Sequence, residues 1–403
     1  MKIRTVLFWL HLCAGVIAGV VILIMSVTGT LLTFQQSVLK IVERSQRFVE
    51  APAGAVRLDA DALIARVRVW SPDAQPTTIT FDSDPNVAAS VALGTQGLAF
   101  VNPYTGEILG TGSARTRAFY RSVTTWHRYL GVEGERRPTA RAITGACNAA
   151  FLVLGLTGLY LWWPRQWSVR HVAAVTIFRR GLSGKSRDFN WHNVIGFWCA
   201  PVIVILTASG LVISYAWASN LLYTITGSPR PVAAGRAGGP GAAGPYAGGG
   251  ERADGRGARG PAAAAVPLQY LVAKAEQQLP TWRTMIVRLS PRPGGPVTFS
   301  MSDNAYWNSF ARSTLTLDGS TGNQVRWEPY SETSRGQKLR GWMRFAHTGE
   351  LGGLTGELVA GTASAGGAFL VWTGVALAFR RLIAWLARRR SARRPETAAA
   401  RVA

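Results

Sequence analysis

"HLCAGVIAGVVILIMSVTG", residues 11–29, is apolar almost throughout, yet it opens on a histidine, one of only five in 403 residues. A helix needs about 20 apolar residues to cross the hydrocarbon core of a bilayer. Three further blocks of this character follow the first, and the four run over 6–34, 143–163, 192–217 and 358–379. The first block is too long for the apolar region of a typical cleaved signal peptide, and no small-residue cleavage pattern closes it. The expected fold class is a membrane protein, a four-transmembrane-helix bundle carrying two small α+β domains between its spans.

The first and third blocks align without gaps. His11, Gly15, Gly29 and Phe34 match His192, Gly196, Gly210 and Tyr215, and Thr28 and Ser209 precede the second glycine of each. The shared pattern is H-x3-G-x13-G-x4-aromatic. Four residues are about one helical turn and 18 are five, so each histidine and its two glycines share one stripe. The second and fourth blocks form a looser pair: "FLVLGLTGLYLWW" (151–163) resembles "GAFLVWTGVALAF" (367–379), with Thr157-Gly158 and Thr373-Gly374 near corresponding ends. Each is preceded by a histidine in an aromatic and basic setting, His127 in "TTWHRYLGVEGE" and His347 in "MRFAHTGELGG". Whether these two histidines continue the spans or stand on separate turns stays open at this level.

Arginine density sets the expected orientation. The loop 164–191 carries Arg165, Arg170, Arg179, Arg180, Lys185 and Arg187, and the tail 380–403 contains "RRLIAWLARRRSARR". The positive-inside rule puts both, and both termini, in the cytoplasm. The soluble segments 35–140 and 218–353 then lie outside. High Ala, Gly and Arg usage points to a GC-rich bacterial genome, which makes the location the inner membrane and the outside the periplasm. Each soluble segment holds an amphipathic helix followed by alternating strand-like runs, a small α+β unit used twice. Between them, about 233–262, lies a Gly/Ala/Pro/Arg tract without core-forming residues, read as a disordered insert. All three cysteines fall in or beside spans, which excludes a periplasmic disulfide framework. No Walker loop, dinucleotide fingerprint or nucleophile–base constellation is visible, and no nucleic-acid partner is expected despite a formal charge of +23.

The histidines fall into two pairs, His11 with His192 at the cytoplasmic edge and His127 with His347 at the outer edge. His171 lies in the basic loop without a partner. Two facing imidazoles at each edge suit bis-histidine ligation of haem, which fills both axial positions and leaves an electron-transfer centre. The absence of a C-x-x-C-H motif makes the expected haem non-covalent, two per chain. In this reading Gly15 and Gly196 sit a turn from the inner pair, Gly158 and Gly374 make room for the inner haem, and Gly29 and Gly210 for the outer. Arg128, Arg340 and Arg344 are placed to meet propionates at the outer face. Zinc fits less well, because two histidines without nearby acidic or thiolate partners make an incomplete tetrahedral site. The bland reading remains beside this one: single interfacial histidines often only snorkel, and glycines in spans often only let helices pack closely.

"HLCAGVIAGVVILIMSVTGTLLTF", "GLTGLYLWWPR", "WHNVIGFWCAPVIVILTASGL", "AHTGELGG" and the turn "NPYTGEILG" together resemble the PepSY-associated transmembrane family, which includes FoxB-type siderophore reductases of the bacterial inner membrane. The resemblance covers most of the chain except the glycine-rich insert and the tail. It implies four spans, two b-type haems ligated by His11, His127, His192 and His347, and periplasmic PepSY-like domains. The implied activity is a ferric or siderophore reductase that passes electrons from a cytoplasmic or quinone donor to an external Fe(III) chelate. The alternative is a non-enzymatic membrane protein whose soluble domains bind or restrain a periplasmic partner. A transporter is disfavoured by the lack of a broken mid-membrane helix and of buried acidic residues.

Overall fold

The computed structural model describes residues 3–163, 168–230, 264–308 and 310–392; the glycine-rich insert and the end of the basic tail lie outside the described residues. The chain divides into two units, one of residues 1–35, 118–222 and 342–403 and one of residues 36–117 and 223–341.

Among the described residues the first unit holds four helices long and apolar enough to cross a membrane: Ile3–Thr33, Gly134–Trp162, Gly184–Ser214 and Gly353–Arg390. The first and third spans each pack against the second and the fourth, so the four form a ring in which first and third stand opposite. Close approach within the ring rests on small residues. A Cβ at Gly361 of the fourth span would lie 2.7 Å from the ring of Phe34, and one at Gly366 would collide with the Cys199 thiol of the third.

The spans differ from the apolar blocks at their ends. The third helix begins at Gly184, well before His192, and ends at Ser214; Tyr215 is extended (φ −120°, ψ 131°), and Ala216–Ile225 is a separate helix. Hydropathy marks where lipid begins, whereas a helix runs on until its backbone groups are capped or diverted. The extra turns carry buried acids that the hydropathy reading excludes. Asp188 is buried at the start of the third span and pairs with Arg187 at 3.0 Å and Arg380 at 3.1 Å. Glu357 is buried in the second turn of the fourth. Both sit near span ends, where a charge can find a partner or the interface at lower cost than in mid-membrane.

His127 and His347 stand on helices of their own, Ala114–Tyr129 and Arg335–Thr348. Left-handed residues end both: Leu130 (φ 54°) and Gly131 (φ 78°) after the first, and Gly349 (φ 79°) after the second. A Cβ at Gly349 would also meet Thr33 at 2.9 Å, so glycine is required there on two grounds.

The second unit is one antiparallel sheet of eight strands in the order β4-β3-β2-β1-β5-β6-β7-β8. The strands are β1 Thr78–Asp82, β2 Ala89–Ala92, β3 Leu98–Val101, β4 Ile108–Gly110, β5 Trp282–Arg288, β6 Val297–Asp303, β7 Arg312–Leu317 and β8 Gln324–Glu328. Each sequence repeat contributes one helix, Ala60–Trp70 or Leu268–Gln278, and a four-stranded meander. The expectation of two small domains is corrected here. β1 pairs with β5 from Thr78↔Arg288 to Asp82↔Thr284, and both repeats share one core, including Ile79, Val91, Met285, Phe299 and Leu315. Four-stranded sheets standing alone would each expose a long edge of unpaired N–H and C=O groups, and the β1–β5 pairing removes both.

The two helices also cap each other across the repeats. The Asp61 carboxylate accepts from the Leu268 and Gln269 amides at 2.9 and 2.8 Å, while the Gln269 side chain accepts from the Ala60 amide at 2.9 Å. The entry to the domain is held by Glu43, fully buried, whose carboxylate accepts from Arg47 at 2.8 Å, from two Arg117 nitrogens at 2.7 Å and from the Ser113 amide at 3.0 Å.

Removing one partner of a buried pair leaves the others uncompensated and costs about 3–5 kcal/mol. Glu43→Ala is therefore expected to lower the unfolding transition of the sheet domain in full-length detergent-solubilised protein. Asp61→Ala, which removes exposed caps, should cost about 1 kcal/mol. Thermal melts in which both variants move equally would contradict this ranking.

Candidate functional site

His11 and His192 stand on the first and third spans, Ile3–Thr33 and Gly184–Ser214. The ring of helices brings them face to face, with centroids 6.3 Å apart and planes at 87°. His127 and His347 form a second pair, 6.4 Å apart at 59°. Both pairings expected from the sequence are thus present in the fold. All four rings are half-buried.

Each imidazole is held the same way. His11 Nδ1 lies 2.9 Å from the Thr157 hydroxyl, His192 Nδ1 2.9 Å from Thr373, His127 Nδ1 2.9 Å from Thr28, and His347 Nδ1 3.2 Å from Ser209. These hydroxyls spend their own protons on helix carbonyls one turn back, those of Val153, Phe369, Ile24 and Ile205, at 2.6–2.8 Å. Their oxygens are left to accept, so the imidazole must donate from Nδ1. His347 has a second acceptor, the Leu206 carbonyl at 2.8 Å. Nε2 of each ring then carries the lone pair, and among the described residues it makes no hydrogen bond.

A glycine follows each hydroxyl residue and gives the ring its space. A Cβ would come within 3.4 Å of His11 Cε1 at Gly158, of His192 Cε1 at Gly374 and of His127 Cε1 at Gly29, and within 3.2 Å of His347 Cε1 at Gly210. These four glycines serve the pairs to which the sequence reading assigned them. The nearest protein atom is the imidazole itself at Gly158, Gly374 and Gly29, and at Gly210 it is second to the Asn148 amide. Gly15 and Gly196 face Leu154 and Leu370 of adjacent spans at 3.8 and 3.6 Å, an ordinary helix-packing contact. The hydroxyl residues Thr28, Thr157, Ser209 and Thr373 were missed as functional. Their signal was in plain view, because every one of these glycines is preceded by Thr or Ser.

The seats lie in the same repeat as the histidines they hold. Thr28 and Thr157 hold His127 and His11, and Ser209 and Thr373 hold His347 and His192. Each pair, by contrast, draws one ring from each repeat. His11 and Thr28 are 17 residues apart in one helix, as are His192 and Ser209, which separates the two ends by about 25 Å along the axis.

Around the pairs, the Arg128 guanidinium lies 5.2 Å from the Tyr129 ring and that of Arg344 5.9 Å from Phe345, while Arg340 stands two turns before His347 on the same helix. Trp191 and Trp372 meet edge to face at 6.5 Å near the first pair. Burial, with His347 adding to it, pushes His127 down to about 4, and burial pushes His347 down as well. Both are neutral near pH 7, the form that ligates metals.

A metal–imidazole bond is about 2 Å, and a ring centre lies about 1 Å behind its nitrogen. Two imidazoles holding one metal from opposite sides therefore have centres about 6 Å apart, the separation found in both pairs. Among the described residues no group of three or more His, Cys, Asp or Glu side chains is placed to hold a metal ion. Cys199 packs on Gly366 and Cys13 is exposed. The donor set thus fits a group needing two axial ligands and fits a tetrahedral ion poorly.

The seats predict the tautomers. In protein labelled with ¹⁵N-histidine and free of bound metal, His11, His127, His192 and His347 should all be neutral with the proton on Nδ1. An Nε2–H signature from any of them would contradict the geometry.

No curated protein matches the chain. Among protein families, the model of the PepSY-associated TM region matches residues 8–381, which take in both histidine pairs, all four seats and the eight-stranded sheet. The chain therefore belongs to the PepSY-associated TM family of membrane proteins.

Proposed function

We propose that each histidine pair holds one b-type haem through its two Nε2 atoms, and that the protein is a di-haem electron conduit of the bacterial inner membrane reducing a periplasmic ferric chelate. The observation that carries this reading is the fourfold seat. Two ring pairs at axial-ligand separation, each ring turned to offer Nε2, are more than snorkelling histidines need. When bound, haem supplies reversible one-electron carriage at a six-coordinate iron.

The rest falls to the chain's own groups. His11 and His192 present ligands at the end shared with the arginine-rich loop and tail, which the positive-inside rule assigns to the cytoplasm. A cytoplasmic or quinone donor would act there. His127 and His347 present ligands at the opposite end, with Arg128, Arg340 and Arg344 on the same two helices available to acidic groups. The substrate class is a hard-oxygen Fe(III) chelate, most simply a ferric siderophore. It takes one electron to give Fe(II), which such oxygen donors hold far less tightly, so the iron is released.

Purified protein should contain about two acid-acetone-extractable haems per chain. His11→Ala and His192→Ala should each remove one and the same haem, and His127→Ala and His347→Ala the other. Loss of the same haem in His11→Ala and His347→Ala would sink the pairing. Colourless protein from haem-replete cells would instead support a partner-binding role for the sheet domain.

Orientation is tested separately. Reporter fusions after Arg180 should read as cytoplasmic and fusions after Ile225 as periplasmic. The reverse pattern would exchange donor and acceptor ends.

A further inference from the structure

The four seats are alike in plan and unlike in what accepts the proton. At His11 the Thr157 hydroxyl, 2.9 Å away, is the acceptor. At His127 and His192 a threonine hydroxyl also lies at 2.9 Å. At His347 the Leu206 carbonyl is nearest at 2.8 Å, and the Ser209 hydroxyl has drawn back to 3.2 Å. Crowding accompanies the shift. A Cβ at Gly210 would stand 3.0 Å from the Asn148 amide as well as 3.2 Å from His347, and Asn148 is fixed by donating to the Thr207 carbonyl at 2.9 Å.

We infer that Thr157, Thr373 and Thr28 are positioning residues that set the tautomer, orientation and donor strength of the histidine ligands, and that at His347 the nearer Leu206 carbonyl carries the larger share of this task, with Ser209 second. The inference rests on the haem reading proposed above. The physical reason is the usual one for a ligating imidazole. A second-sphere acceptor on Nδ1–H fixes which nitrogen faces the metal and raises the basicity of the other. A more basic ligand stabilises the oxidised iron, so an acceptor at Nδ1 lowers the reduction potential of its centre. Removing the acceptor raises that potential and loosens the ligand. The effect should rank with dependence on the hydroxyl: large at Thr157, Thr373 and Thr28, each at 2.9 Å, and smallest at Ser209.

The test compares Thr157→Val with Ser209→Ala in full-length, haem-loaded protein. Valine keeps the branched shape of threonine and removes the hydroxyl, and with it the acceptor for His11. The readouts are the two midpoint potentials, the low-spin signals of each ferric haem, and haem loss to an apoprotein acceptor, none of which requires turnover. Thr157→Val should shift the His11–His192 centre to a more positive potential and speed loss of that haem about tenfold, leaving the other centre unchanged. Thr157→Ser should restore both, and Ser209→Ala, which leaves the Leu206 carbonyl in place, should shift the His127–His347 centre by less than half as much. If Thr157→Val does not insert, Thr157→Ala is read the same way. Wild-type potentials and retention in the Thr157 variants would overturn the positioning role. An equal shift in Ser209→Ala would overturn the assignment to Leu206. A wild-type protein without haem would defeat the underlying reading instead, and would show before any variant is made.

Discussion

A histidine inside an apolar helical bundle has two ring nitrogens to satisfy and little water to satisfy them with. An unpaired polar group in that environment costs several kcal/mol. Here Nδ1 is settled by a hydroxyl from a neighbouring helix, and that hydroxyl is settled by its own helix. Much else follows from this bond. It fixes which nitrogen stays open, it brings the ring against the glycine beside the hydroxyl, and it sets the register between the helices that share the bond.

Register is the less obvious part. The His192–Thr373 bond and the Asp188–Arg380 ion pair join the same two antiparallel spans, four residues apart on one and seven on the other. Together they resist sliding of the fourth span against the third. The first and second spans are joined at the corresponding end by the His11–Thr157 bond and by Arg4, whose guanidinium donates to the Leu161 carbonyl at 2.5 Å. Histidine placement and helix packing are thus one arrangement, and a change in either disturbs the other.

The four spans and the two histidine pairs were legible in the sequence, because hydropathy and the H-x3-G-x13-G spacing are local patterns written along single helices. The exact helix ends were not. Asp188 and Glu357 lie in turns that continue past the apolar blocks, and only their partners in space make those turns tolerable. The seats were half legible: the glycines drew attention as small residues, but that Thr157 faces His11 is a fact about two helices far apart in sequence. Fusion of the soluble repeats was not legible at all. β1 and β5 each read as ordinary strands, and nothing in "TITFD" or "WRTMIVR" announces that they pair. The mutual capping by Asp61 and Gln269 is of the same long-range kind.

Because each histidine pair takes one ring from each repeat, the order in which the chain is made matters. When the first two spans have left the ribosome, His11 and His127 already have their seats, yet each is half of a pair. The pair near the N-terminus is complete only once the third span has inserted, and the other only after the helix Arg335–Thr348 has been made. A nascent chain therefore offers single imidazoles for most of its synthesis. Both pairs exist together only near the end, when the fourth span arrives with Thr373 to steady His192.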